Sequence, residues 1–244
     1  MHLLLSQIVF IICISAVYVK GSPFLLIILS CETVAIPFLL CYTVFMKRNY
    51  QQEMEEIFQE LGHSSPRLLL HSCCGPCSSS VLERLSPHFD LTLLWYNPNI
   101  WPQAEFDRRL EAQKKLISAA FPSVKLLVLP REDTPWYKAV SGLEKEPEGG
   151  ARCTECFRLR LRESARLAAK LHCDYYCSTL TLSRHKDPVR INAIGEAFGQ
   201  EYGVRWLPSE FKKRNGELRT AQLCEQFGIY RQNYCGCEYS VQKQ

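Results

Sequence analysis

The sequence lacks a glycine-rich phosphate loop. After the first strand predicted beyond its apolar N-terminal segment, where such a loop would present backbone N–H groups to phosphates, it has Cys-Cys-Gly-Pro-Cys at residues 73–77. Neither the run of glycines nor the lysine of a phosphate-binding loop is present there. We therefore expect no nucleotide hydrolysis.

A strong net charge and an internal repeat are also lacking. The 244 residues carry a formal net charge of +4, which permits a nucleic-acid partner without requiring one. This length suits one large domain or two small ones.

A secretory signal peptide is not indicated either. No lysine or arginine precedes the first apolar run, residues 3–19, and no small-residue cleavage site follows it. A second apolar run, residues 24–46, is interrupted by Glu32 and Pro37. The second run is long enough to cross a bilayer, and the first is marginal.

Two hypotheses account for residues 1–46. The first is a helical hairpin anchor, with Lys47 and Arg48 placing the following domain in the cytoplasm. The second, which we favour, is an over-extended reading frame, because Met46 opens a plausible soluble start. We expect residues 47–244 to form a separate cytoplasmic domain, associated with a membrane only if residues 1–46 are genuine.

In residues 47–244, predicted strands alternate with predicted helices. The strands are 67–71, 90–96, 124–129, 174–181 and 204–207, and the helices are 48–61, 78–85, 103–121, 134–142, 153–171, 187–202 and 217–227. This alternation predicts an α/β fold, a parallel sheet with helices on both faces. Ligands of such folds bind at the carboxyl ends of the strands, an edge that holds Cys73, Asn97, Ser183 and His185.

Thirteen cysteines are too many for a chain of this size to need as disulfide staples, and the number is odd. Seven of them cluster, at Cys73, Cys74, Cys77, Cys153, Cys156, Cys235 and Cys237. Two thiols from the first group and two from Cys153/Cys156 would suffice for zinc or for an iron–sulfur cluster. The spacing does not separate zinc from iron.

The Cys235-Gly236-Cys237 pair has a different spacing. It is too tight for an ordinary structural disulfide but can close a strained, easily reduced ring. The pair is therefore redox-active, a source of further metal ligands, or simply two thiols on a surface tail.

Basic and aromatic residues near the same edge suit a nucleic acid. The loop Phe211-Lys212-Lys213-Arg214-Asn215 and the run Arg184-His185-Lys186 could contact phosphates. His185 is also a candidate proton donor. Among nearby aromatic residues, Trp95, Tyr96 and Trp101 would be the stacking partners if a base enters, although such residues are more often core.

The chain resembles the QueH-type epoxyqueuosine reductases from about residue 47 to about residue 240. The matching motifs are LLLHSCCGPCSSSVLE, YNPNIWPQAEFDRRLEAQKKL, LEKEPEGGARCTECFRLRLRESARLA, STLTLSRHKD, FKKRNG and YRQNYCGCEYS.

The resemblance implies a Rossmann-like sheet related to the adenine-nucleotide hydrolases. It implies reduction of epoxyqueuosine to queuosine at the tRNA wobble position, the last step of that modification, with electrons from an unidentified donor. It further implies a [4Fe–4S] cluster held by Cys73, Cys74, Cys153 and Cys156, an additional iron to which Cys77 could contribute, and a redox-active pair at Cys235 and Cys237. The alternatives are a zinc-stabilised tRNA-binding module without turnover and an iron–sulfur tRNA thiolase.

Overall fold

The structure is a computed structural model that describes residues 12–18, 24–31, 40–45 and 48–241. The chain divides into two compact units, Met1–Asn49 and Tyr50–Gln244.

The described part of the first unit is a sheet of three antiparallel strands. These are β1 (Ile12–Tyr18), β2 (Phe24–Cys31) and β3 (Leu40–Phe45), in the order β1-β2-β3. The hypothesis of a hairpin anchor predicted helices in this segment, whereas the structure has strands. Apolar runs alone do not separate helix from strand, and these runs are rich in β-branched and aromatic residues that favour strands.

Among the described residues, no helix has both the length and the apolar character needed to cross a membrane. The role of Met46 as the start of the protein stays a prediction.

The second unit is a parallel five-stranded sheet with the strand order β6-β5-β4-β7-β8. Its strands are β4 (Arg67–Ser72), β5 (Asp90–Trp95), β6 (Lys125–Val128), β7 (Tyr175–Ser178) and β8 (Arg205–Trp206). Its helices are α1 (Tyr50–Leu61), α2 (Gly75–Leu85), α3 (Gln103–Ala120), α4 (Thr134–Val140), α5 (Ala151–Lys170), α6 (Pro188–Tyr202) and α7 (Gly216–Phe227). The predicted α/β class is confirmed.

Helices cover both faces of the sheet. Successive residues of a strand point to opposite faces, and in β4 apolar residues on both faces are buried. Leu68 and Leu70 of β4 pack in one core with residues of α1, α2, α3 and α7. Leu69 lies in a second core with residues of α5 and α6. All three leucines are fully buried, and each burial contributes about 1.5–3 kcal/mol.

Two elements at the carboxyl edge differ from the sequence prediction. Strand β7 ends at Ser178 rather than at Thr181, because the Ser178 side chain accepts a hydrogen bond from Leu180 N–H and starts a 3-10 turn, Thr179–Leu182. Helix α2 begins at Gly75 rather than at Ser78, because the Cys74 side chain caps it. The predicted ligand edge therefore contains the 3-10 turn after β7 and the first turn of α2.

Candidate functional site: a cavity lined by thiols

Three thiols meet where β4 passes into α2. The Sγ atoms of Cys73, Cys74 and Cys77 all lie within 4.8 Å of one another. Cys74 Sγ accepts a hydrogen bond from the Cys77 backbone N–H at 3.3 Å, which closes the first turn of α2. We call these three residues the thiol triad.

The loop of the triad is fixed by close packing on α3. The Ser72 and Ser78 hydroxyls donate to Oε1 of the buried Gln113, at 2.7 and 2.8 Å. A Cβ at Gly75 would lie 3.1 Å from the backbone carbon of Ala112, so glycine permits this approach of the two helices.

Hydrogen bonds and burial shift the pKa values of the three thiols in opposite directions. The pKa of Cys73 lies well below its usual value, because the Cys74 and Cys77 thiols donate hydrogen bonds to it and because Lys186 and Arg160 lie nearby. Burial raises the pKa of Cys74 to about 12. The hydrogen bonds to its two neighbours and burial raise the pKa of Cys77. Thr179 Oγ1 also donates to Cys73 Sγ at 3.3 Å.

Four further thiols line a neighbouring cavity, namely Cys153, Cys156, Cys235 and Cys237. Cys153 and Cys156 lie in the first turns of α5, where Gly149 N–H donates to Cys153 Sγ at 3.2 Å. Burial raises the pKa of Cys156 to about 11 and also raises the pKa of Cys153 and Cys237. Cys153, Cys156 and Cys237 are therefore protonated at neutral pH unless a cation or a metal compensates their charge.

The Cys235–Cys237 turn is held in place by hydrogen bonds from Arg109 of α3. The guanidinium of Arg109, which is 1% exposed, donates to the carbonyl oxygens of Cys235 and Tyr234, at 3.1 and 3.2 Å. Trp101 N–H donates to the Gly236 carbonyl at 2.8 Å. Gly236 has a φ of +125°, and a Cβ there would lie 2.9 Å from Arg109 Nη1. The two cysteines therefore flank a tight turn that requires glycine at position 236.

Two cations lie between the two groups of thiols. Arg160, 2% exposed, donates to Asn97 Oδ1 at 2.7 Å and approaches Cys156 Sγ at 3.9 Å. Lys186 lines the cavity, and negative charge on Cys235 and Cys73 raises its pKa. Within residues 48–241, no carboxylate forms an ion pair with either cation. Glu148 and Asp187 are the carboxylates that line the same cavity.

The buried His71 supports Arg160. Its Nε2 accepts from Arg160 Nε at 3.3 Å, and its Nδ1 lies 2.9 Å from Ser178 Oγ. Burial and the Arg160 charge lower its pKa to about 3, so the ring is neutral at physiological pH. Neither His71 nor Arg160 was a candidate from the sequence. The histidine that precedes the thiol triad in β4 is the signal that could have identified this pair.

The four residues that topology assigned to the ligand edge are at the site. Asn97 is buried and donates from Nδ2 to the Ser72 carbonyl at 2.9 Å. Cys73, Ser183 and His185 line a second cavity together with Cys77 and Cys235. His185 is exposed, and its backbone N–H donates to Ser183 Oγ.

The predicted cluster ligands fall into two adjacent groups. Cys73 and Cys74 belong to the thiol triad, whereas Cys153 and Cys156 share their cavity with Cys235 and Cys237. Among the described residues, the triad is the one set of three or more metal-ligating side chains with all donor atoms so close together. Of the proposed base-stacking residues, Trp95 is fully buried and Trp101 is 42% exposed.

The fold and this site define a Rossmann-like α/β protein whose ligand edge carries clustered thiols in place of a phosphate loop. A family model described as "Epoxyqueuosine reductase QueH" matches residues 68–243. The chain belongs to this family.

Named relatives are similar over most of their length. The chain is 39% identical to Epoxyqueuosine reductase QueH of Streptococcus pyogenes serotype M1 over 204 residues, which cover 81% of this chain and 80% of the relative. It is 38% identical to the Staphylococcus epidermidis protein, covering 81% and 87%. It is 33% identical to the Thermotoga maritima protein, covering 71% and 90%.

Among solved structures, the U34-tRNA thiolase NcsA from Methanococcus maripaludis with its [4Fe–4S] cluster aligns with a TM-score of 0.48. The two chains are 15% identical, and the alignment covers 87% of this chain and 76% of the thiolase. A similarity at that level supports no further conclusion.

Proposed function

We propose that the protein reduces epoxyqueuosine to queuosine in tRNA, with an iron–sulfur cofactor at the thiol-lined site. The family supplies the reaction. The observation that carries the proposal is the placement of two cations, the buried Arg160 and the partly buried Lys186, among seven thiols, with no carboxylate ion-paired to either cation within residues 48–241.

The donor atoms fit an iron–sulfur cofactor. Thiolate sulfur is the usual ligand of such clusters, and the triad gathers three sulfurs within 4.8 Å. Buried charges need compensation, so the two cations suit a site that is anionic when loaded. Cys73, Cys74, Cys153 and Cys156 would hold the [4Fe–4S] cluster, and Cys77 would be available to an additional iron. When bound, the metals would supply single electrons and a Lewis acid for oxygen.

The reaction itself defines what the protein must provide. Removal of the epoxide oxygen breaks two C–O bonds, forms a carbon–carbon double bond and consumes two electrons and two protons, with water as the second product. Oxidation of the Cys235–Cys237 dithiol to a disulfide supplies two electrons and two protons. An external donor must then reduce that disulfide before the next turnover.

The fold supports this role of the CxC pair. Arg109 and Trp101 hold the backbone on both sides of Gly236, so both sulfurs stay at the cavity wall. A pair of cysteines with this spacing closes a strained ring, and strained disulfides are readily reduced.

Residues at the cavity wall would bind and orient the modified nucleotide. Lys186 presents an ammonium group to the space between the triad and Cys235, where it would stabilise negative charge on the departing oxygen. His185 lines the same space and is the proposed proton donor.

The deciding experiment is conversion of epoxyqueuosine-tRNA by protein purified and assayed without oxygen, with a chemical reductant and no ATP. We expect queuosine-tRNA, together with iron and inorganic sulfide in the protein. Stoichiometric zinc without iron would instead indicate a tRNA-binding module, and a requirement for ATP would indicate a thiolase.

The redox role of the CxC pair has its own test. We expect Cys235→Ser to keep the iron content of the unaltered protein and to lose turnover with a physiological reductant. Normal turnover in this variant would refute a redox role for the pair.

A further inference from the structure

Two segments carry the positive charge of the chain. Residues 184–190 and 210–219 contain seven lysines and arginines and three carboxylates, an excess of four positive charges. The net charge of the whole chain is also +4, so the rest of the sequence is balanced. We call the basic residues of these segments the basic strip: Arg184, Lys186, Arg190, Lys212, Lys213, Arg214 and Arg219.

The two segments are neighbours in the fold. Lys212 N–H donates to the carbonyl oxygen of Thr181, which lies three residues before the first segment. The Arg184 backbone N–H donates to Glu217 Oε1 at 3.0 Å. The basic strip is therefore continuous from the loop after β7 to the first turns of α7.

The strip begins at the mouth of the thiol-lined cavity. His185, Lys186 and Arg190 are part of the cavity wall. Arg190 also donates to the Gly149 carbonyl at 2.7 Å, which fixes the loop before Cys153. A ligand bound along the strip consequently lies beside the entrance to the site.

The ion pairs within the strip do not prevent it from binding an anion. The Arg184 side chain is 74% exposed and lies 3.6 Å from Glu217. The Arg214 side chain is 67% exposed and contacts Glu55 at 2.6 Å. Exposed ion pairs are worth about 0–1 kcal/mol, so a phosphate can displace the carboxylate partner at little cost.

We propose that the basic strip binds the sugar–phosphate backbone of the tRNA and thereby delivers the modified nucleotide to the cavity. A row of exposed and partly exposed cations fits a partner whose negative charges repeat along a chain, and such binding depends strongly on salt. The identity of the RNA rests on the proposed function, whereas the use of this surface rests on its charge and position.

Binding of an unmodified tRNA transcript to the full protein tests the strip. We would compare Arg184→Gln/Arg214→Gln with the control Lys114→Gln/Lys125→Gln, which removes the same charge from exposed residues of α3 and β6. We expect the first variant to bind roughly tenfold more weakly at about 0.15 M salt, and its log–log salt slope to fall in magnitude by about two. The control should match the unaltered protein.

Three results would overturn the proposal. The first is unchanged binding by Arg184→Gln/Arg214→Gln with an unchanged melting temperature. The second is an equal loss in the control variant, which would show that only net charge matters. The third is normal tRNA binding with impaired reduction by an acidic donor protein, which would assign the strip to the donor.

Turnover of epoxyqueuosine-tRNA by the unaltered protein is measured separately. Absence of turnover together with strip-dependent tRNA binding would contradict the proposed reaction and leave the surface established. Turnover together with strip-independent binding would contradict the surface alone.

Discussion

Arg160 donates a hydrogen bond from Nε to Nε2 of the neutral His71, at 3.3 Å, in the interior between β4 and α5. The same Nε2 lies 3.1 Å from the carbonyl oxygen of Tyr96, and Nδ1 lies 2.9 Å from Ser178 Oγ, so the ring is held at both nitrogens. The ring thus orients a guanidinium whose charge lies close to the thiols of Cys73 and Cys156. Arg160 is a positioning residue for negative charge at this site.

The first prediction concerns the reactivity of Cys73. Its lowered pKa predicts that metal-free protein reacts with iodoacetamide at Cys73 at a pH well below that needed for ordinary cysteine. Arg160→Met removes one nearby positive charge and should move this reactivity to higher pH, whereas Arg160→Lys should restore part of it. Peptide mass spectrometry after timed alkylation gives the measurement. An identical pH profile in Arg160→Met would show that Arg160 does not act on Cys73.

The second prediction concerns acid stability. His71 has a pKa of about 3 in the folded protein and about 6.5 when unfolded, so folding keeps it neutral. The unfolded chain takes up the proton first, and the stabilisation present above pH 6.5 is lost as the pH falls toward 3. At about pH 5 this loss amounts to about 2 kcal/mol.

Urea unfolding at pH 7 and at pH 5 measures the loss, with iron content determined in both samples. His71→Gln should be less stable at pH 7 and should show a smaller decrease between the two pH values. His63→Gln, at an exposed position, serves as the control and should behave as the unaltered protein does. An unchanged pH dependence in His71→Gln would exclude this histidine as the source.

The third prediction separates the two groups of thiols. If Cys153 is a cluster ligand, as we propose, Cys153→Ala should lose iron, sulfide and activity together. Cys173→Ala provides the control, because Cys173 is a buried core residue outside the cavity. Iron retained in Cys153→Ala but lost in Cys77→Ala would assign the cluster to the thiol triad instead.

The fourth prediction concerns the turn at Gly236. Gly236→Ala places a Cβ 2.9 Å from Arg109 Nη1 and 3.2 Å from Ile100 Cγ1, at a φ of +125° that favours glycine. The resulting strain, about 1–3 kcal/mol, should displace the two cysteines. We expect turnover to fall at least about tenfold with iron content unchanged. Gly142→Ala, also at a positive φ but with no atom within 4 Å of the new Cβ, is the matched control.

Periodicity and turn residues predicted most of the second unit from the sequence. The strand–helix alternation gave the α/β class, and the rule for parallel sheets located Cys73, Asn97, Ser183 and His185 at the ligand edge. These features are local, since each depends on residues within one turn or one strand of each other.

The features that the sequence did not reveal depend on distant partners. In the sequence, Arg160 is one of several polar residues of an amphipathic helix. Its role depends on its contact with His71, which lies 89 residues earlier. Arg109 likewise gains its role from Cys235, 126 residues later. For the apolar segment, the sequence pattern alone does not separate helix from strand, because its runs satisfy both patterns.

The contact of Arg109 with the Cys235 carbonyl joins two parts of the chain that are synthesised at different times. Synthesis proceeds from the N-terminus, so the triad, Arg109, Cys153 and Cys156 all leave the ribosome before the tail does. A partly made chain exposes Cys153 and Cys156 without the wall that Cys235 and Cys237 later provide. A chain shortened before Cys235 therefore lacks this wall, and its cavity cannot close.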